Sequence, residues 1–213
     1  MKTKHHYHSK FISLALFGIL LACIPLTKTL AVELATPQLG IESVSTQLKE
    51  KMAVEGFSKD FKQITNFVES AIYPYIDFYS ISALVLGKHW KNATTDEKKL
   101  FEQEFKTLLI RTYSRAFVEF KDWSVRYLPL NMVEGANKVI VKTEILQPGI
   151  QPIAINYRMH LTKGQWKAYD IMIEGVSLIT NYRTSFKNEM TRFGSLTEVI
   201  DALAKRNQTA LAK

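Results

Sequence analysis

One cysteine, Cys23, stands in 213 residues. No disulfide framework and no thiolate zinc site can be drawn from it. A glycine-rich phosphate loop is missing, and with it the usual sequence signal for nucleotide chemistry. There are no internal repeats, no low-complexity linker and no second block of distinct composition, so the chain reads as one folded domain behind a leader. One apolar run is long, Phe11 to Ile24, "FISLALFGILLACI". Its 14 residues fall short of the roughly 20 that a membrane-spanning helix needs.

The surroundings of that run explain it. "MKTKHHYHSK" ahead of it is basic and free of acids, and "PLTKTLA" behind it ends in small residues. This is the order of a secretory signal peptide, with cleavage expected after Ala31. An uncleaved anchor is one rival. A lipoprotein signal at Cys23 is another, but the apolar run continues past Cys23 through Ile24 and Leu26. Cleavage after Ala31 leaves residues 32–213 without cysteine, held together by core burial alone. It also removes the three histidines of "HHYH", which therefore carry no chemistry. Lys2, Lys4, Lys10 and Lys28 leave too, taking the net charge from +8 to +4. That excess is too diffuse to argue for nucleic acid and suits acidic partners or anionic surfaces.

Helical periodicity dominates the first half of the mature chain. Helices are expected over "IESVSTQLKEKMAV", over "SKDFKQITNFVESAI" up to Pro74, and over "DFYSISALVLGKHW" with Gly87 as a stop. Thr94 and Glu97 form a capping box for a fourth helix of about seven turns. Its stripe runs Phe101, Phe105, Leu108, Leu109, Thr112, Tyr113, Ala116, Phe117 and Phe120. After Lys121 the period changes to two. "WSVRYLPL", "KVIVKTEILQ", "IAINYRMHL" and "WKAYDIMIE" read as four strands, with a hairpin turn at "TKGQ". Alternation sets Ile153, Ile155, Tyr157, Met159 and Leu161 against Ala154, Asn156, Arg158 and His160, and places Tyr169, Ile171 and Ile173 together. Helices "SLITNYRTSFKNEMTRFG", capped by Ser177 and stopped by Gly194, and "SLTEVIDALAKRN" close the chain. The expected class is α+β, helices packed around a curved antiparallel sheet of about four strands with an interior apolar pocket.

Reactive groups are few. His160 sits close to Asp170 across the expected hairpin and could form an acid/base dyad with it, which makes a small enzyme the alternative function. Alternation sends His160 and Arg158 away from the apolar face, so a surface pair is the simpler reading. Ser177 in "EGVSL" lacks the second glycine of a nucleophile elbow and serves better as a helix cap. No metal-ligand spacing occurs in the mature chain.

The order of motifs resembles the MlaC family, the Ttg2-type toluene-tolerance proteins of the periplasm. The matching residues are "LGKHW" at Leu86–Trp90, the Phe101–Tyr113 stripe, "NYRM" at Asn156–Met159 and "WKAYDIMIEGVSLITNYR" at Trp166–Arg183. The resemblance covers roughly residues 36–206. It implies a periplasmic phospholipid carrier with no cofactor, working between an outer-membrane lipoprotein–porin complex and an inner-membrane ABC transporter with its lipid-binding substrate-domain subunit. Acyl chains would lie in an interior pocket. Its wall is expected at Leu86, Trp90, Phe105, Leu109, Tyr113 and Tyr182 on helices, and at Val141, Ile155, Tyr157, Ile171 and Ile173 on strands. Arg111, Arg158 and Arg183 are the candidates for the lipid head or for docking. N-terminal sequencing of the exported protein is expected to begin near Val32. A start at Cys23 with a lipid adduct overturns that expectation.

Overall fold

The structure, a computed structural model, describes residues 36–119 and 122–212. The leader, Phe120 and the side chain of Phe117 lie outside the described residues. The chain runs α1 (Thr36–Met52), α2 (Phe61–Ile72), α3 (Phe78–Leu86), α4 (Lys88–Asn92) and α5 (Thr95–Glu119). The strands follow as β1 (Ser124–Tyr127), β2 (Lys138–Leu146), β3 (Ile153–Thr162), β4 (Gln165–Ile173) and β5 (Val176–Ser177). Helices α6 (Leu178–Phe193) and α7 (Leu196–Leu211) end it. Among the described residues, no helix is long and apolar enough to cross a membrane.

Local chemistry sets most boundaries. The Thr94 N–H donates to the Glu97 carboxylate at 2.9 Å, and the Glu97 N–H donates to Thr94 Oγ1 at 3.2 Å. Both halves of the capping box are therefore made. The helix before Pro74 gives way to a single tight turn, Tyr73–Tyr75. Ser177 accepts from the Thr180 N–H at 3.2 Å and starts α6, and the Gly194 N–H returns to the Met190 carbonyl at 3.0 Å and ends it. Three elements depart from expectation. The segment 77–90 is two helices, because Gly87 at φ 55°, ψ −114° breaks the path and α4 begins anew. Helix α1 starts five residues early, with Pro37 tolerated in its first turn. Helix α7 continues to Leu211 rather than fraying near Asn207.

The sheet is an antiparallel meander in the order β1-β2-β3-β4-β5. The fifth strand is the addition. Glu174 (φ 50°) and Gly175 (φ 79°) make a two-residue turn after Ile173, as Lys163 (φ 51°) and Gly164 (φ 77°) do between β3 and β4. Positive φ at both central positions suits the twist of a tight hairpin. Register places Val141, Tyr157 and Ile171 side by side, and beside them Thr143, Ile155 and Ile173. Between Arg158 and Met159 the register slips: Arg158 faces Asp170, but Met159 faces Ala168. Tyr169 is the extra residue. It does not share the Ile171 and Ile173 face, as simple alternation requires. Its ring lies against His160 at 5.2 Å. The bulge lets Trp166 and Ala168 stay on the apolar face while Asp170 points the other way.

Burial falls into three clusters. Helices α3 to α7 enclose one, around Phe101, Phe105, Phe186, Val199 and Leu203. Phe105 meets Phe186 at 5.4 Å and Tyr182 at 5.1 Å, both near edge-to-face. Such pairs each add about 0.5–1.5 kcal/mol beyond area burial. A second cluster joins α1 and α2 to Ile110 and Trp123, and a third packs Ile41 of α1 against Val141, Met159, Trp166 and Ala168. Ile76 touches both the first and the third.

A β-carbon on Gly87 would meet nothing within 4 Å, so only its backbone conformation resists substitution. Gly87→Ala is expected to lower stability by about 1–3 kcal/mol through that conformation alone. Urea unfolding should show it, with Gly87→Ser costing the same.

Candidate functional site

The signature stretch "AYDIMIEGVSLITNYR" is organised by one carboxylate. Asp170 is 2% exposed and lies on the face of β4 opposite Ile171. It accepts from Ser177 Oγ at 3.0 and 2.8 Å and from the Ile179 N–H at 3.4 Å. Arg158 Nη1, its neighbour across the ladder, stands 3.5 Å away. A buried carboxylate at a helix N-terminus meets unpaired N–H groups and the positive end of the helix dipole. Strand β4 is thereby locked to the start of α6.

This geometry corrects the dyad. His160 faces Lys167 across the ladder, not Asp170. Its Nε2 meets Asp77 Oδ2 at 2.9 Å. Asp77 also caps α3, accepting from the Ser80 N–H at 2.9 Å and Ser80 Oγ at 2.8 Å. Burial by itself would raise the Asp77 carboxyl, but the Ser80 and His160 hydrogen bonds outweigh it and hold the group below its ordinary 3.8. The enzyme alternative on Asp170 and His160 loses its geometry. Among the described residues no group of three His, Cys, Asp or Glu is placed to hold a metal ion.

The expected wall residues divide by burial. Leu86, Trp90 and Phe105 are closed inside the helical cluster, and Val141 inside the sheet cluster. Leu109, Tyr113 and Tyr182 on helices, with Ile155, Tyr157, Ile171 and Ile173 on the sheet, are only partly covered. Burial, followed by the neighbouring Tyr182, pushes the Tyr113 phenol well up. Burial also pushes the Tyr157 phenol up to about 12. Two phenols thus sit in dry surroundings next to apolar side chains that keep open surface.

The three arginines have three different settings. Arg158 pairs with Asp170 and leaves 45% of its side chain exposed. Arg183 donates through Nε, at 3.0 Å, and through Nη2 to the Leu84 carbonyl near the C-terminus of α3. Glu174 accepts from the Ala154 N–H. Arg111 Nε donates to Asn207 Oδ1 at 2.8 Å, and Asn207 Nδ2 donates to Glu104 Oε2 at 2.7 Å, bolting α5 to α7. Two open grooves use these residues. One, of about 360 Å³, lies between the α3–α4 corner and α6, with Leu86, Phe186 and Met190 on its floor and Lys88, Arg183 and Lys187 at its edge. The other, of about 560 Å³, brings Arg111 together with residues of α6 and α7. Sequence reading passed over Lys88, Lys187, Arg192, Lys205 and Arg206. Their helical faces were visible in the pattern, but which helix each face meets was not.

Comparison with known proteins bears on the whole arrangement. The family model described as MlaC protein matches residues 42–205. The "Toluene tolerance protein ttg2D" of Pseudomonas putida is 23% identical over 201 residues, 90% of this chain and 91% of that protein. The "Intermembrane phospholipid transport system binding protein MlaC" of Haemophilus influenzae is 23% identical over 124 residues, 57% of this chain and 58% of that protein. A phospholipid-binding protein from Ralstonia solanacearum, solved in complex with a phospholipid, aligns with a TM-score of 0.76 and 26% identity. That alignment covers 84% of this chain and 100% of the other.

Asp170 and Ser177 are expected to act as a unit. Asp170→Ala should lower stability by about 3 kcal/mol, since it strips a partly buried hydroxyl, an N–H and a guanidinium of one acceptor. Ser177→Ala should cost about 1 kcal/mol as a lost cap. The double variant, measured by urea unfolding, should cost less than the two together.

Proposed function

The chain belongs to the MlaC family, and on that premise we propose that it is a periplasmic carrier of phospholipid, exported by a leader over residues 1–31 and working by binding alone. The observation that carries this reading is the row Ile155, Tyr157, Ile171 and Ile173. Those residues stand in register at the centre of the sheet, yet they are less covered than their neighbours Val141 and Met159. A protein with no further partner gains by closing such a row on itself. A lipid carrier needs it open to acyl chains. The phospholipid held by the Ralstonia relative supports the same choice of ligand.

Physical chemistry makes such a carrier necessary. Each methylene withdrawn from water contributes about 0.8 kcal/mol, so two chains of ~16 carbons would cost more than about 20 kcal/mol bare in water. The tails must be covered throughout transit. The head must stay wet or meet donors, because burying an unpaired phosphate is expensive. Lys88, Arg183 and Lys187 at the edge of the 360 Å³ groove offer those donors close to the apolar Leu86, Phe186 and Met190. By family resemblance the exchange partners are an inner-membrane ABC transporter complex, through its lipid-binding subunit, and an outer-membrane lipoprotein–porin complex. The role would be to maintain the lipid asymmetry of the outer membrane.

Native mass spectrometry of protein purified without added lipid tests the reading. The mature chain should retain a phospholipid mass. A bare protein mass alone overturns the carrier role. Ile155→Trp and Ile173→Trp fill the row and should cut the retained lipid severalfold while far-UV circular dichroism stays unchanged. If both variants fold and hold as much lipid as the parent, the tails lie elsewhere.

A further inference from the structure

The 560 Å³ groove collects positive charge that the fold leaves largely unmatched. Arg111 of α5, Arg192 of α6, and Lys205 and Arg206 of α7 line it, and Phe193, Ala202 and Ala210 give it an apolar floor. Of these four cations Arg206 is paired, with Glu189 at 2.9 Å, and Arg111 is held by the neutral Asn207. Among the described residues neither Arg192 nor Lys205 has an ion-pair partner, and the Arg192 guanidinium lies over the Phe193 ring at 5.1 Å. Burial lowers the Arg111 guanidinium most. Tyr182 works against that, and the like charges of Arg206 and Arg115 add to the lowering. Like charges lining one groove repel one another, and an anion that enters relieves the repulsion.

We propose that this groove binds the phosphate of an anionic phospholipid in a membrane surface, seating the protein on the leaflet by one headgroup. The floor and the edge select the occupant. A phosphodiester with its glycerol carries charge on one side and carbon on the other, matching cations set above Phe193, Ala202 and Ala210. The groove is about 560 Å³, within the range of pockets that take one small ligand. It is therefore sized for a headgroup rather than for an acidic protein. Arg111 is the fixed member, because Asn207 already orients its guanidinium. Arg192 and Lys205 are the adjustable ones. The site is additional to the tail-binding row, and it rests on the carrier reading only for phospholipid as the source of phosphate.

Flotation with vesicles tests it, using the full mature chain. Wild type should bind phosphatidylcholine vesicles containing about one-third phosphatidylglycerol, and should bind pure phosphatidylcholine far less. Arg192→Ala with Lys205→Ala should weaken binding to the anionic vesicles about 25-fold, about fivefold for each cation near a charged surface. Lys138→Ala with Lys142→Ala removes the same charge from the sheet and should change binding less than about twofold. Thermal melts check that both doubles fold. The proposal is overturned if the groove double binds like wild type, if the sheet double falls as far, or if neutral vesicles serve equally. Inorganic phosphate that displaces the protein from vesicles at millimolar concentration would assign the groove to free phosphate and overturn the lipid source. The same samples go to native mass spectrometry. Absence of a retained lipid there sinks the carrier reading while leaving the vesicle result to judge the groove.

Discussion

The buried carboxylate of Asp170 decides how helices and sheet meet. A charge that is 2% exposed must be satisfied where it stands. Ser177 and the first turn of α6 satisfy it from one side, and Arg158 approaches from the other. The bulge at Tyr169 is what permits this. Had β4 alternated regularly with no bulge, Asp170 would share a face with Ala168 and Trp166 and point into the sheet cluster. The helix that starts at Ser177 then carries Tyr182 and Phe186 to α5 and Arg183 to α3. A slip of one residue in β4 would turn Asp170 inward and displace all three contacts.

Much of the scaffold was legible because its signals are local. Thr94 and Glu97 are three residues apart, and their reciprocal bonds need nothing from the rest of the chain. Ser177 and Gly194 bracket α6 for the same reason. Alternation read β2 and β3 correctly because both run without interruption. It failed in β4. Tyr169 and Ile171 are both acceptable on an apolar face, so composition hides the extra residue between them. The pairing of His160 was also beyond reach, since Asp77 is 83 residues away and belongs to a helix cap.

The site was less legible than the scaffold. Phe105 and Leu109 belong to one helical stripe, yet the first is sealed in the core and the second keeps open surface. Periodicity reports which side of a helix faces inward. It does not report whether another side chain waits there. For Phe105 the answer is Tyr182 and Phe186, residues from the far end of the chain. Charge behaves in the same way. Arg111 and Asn207 are 96 residues apart, and only folding makes their neighbourhood a basic groove.

Division of the core has a thermodynamic consequence for lipid exchange. Phe101, Val199 and Leu203 are completely covered by protein, so the helical cluster closes without help from a ligand. The incompletely covered residues sit at its margin and on the sheet. Ligand binding stabilises a fold in proportion to the free energy of binding, and a protein that needed its lipid in order to fold would unfold on handing it over. Here the carboxylate lock and the aromatic packing are independent of any tail. An empty protein would then keep α5, α6 and α7 in place, and with them Arg111, Arg192 and Lys205. The groove proposed to meet a membrane would persist through release, so loading and docking could be repeated without refolding.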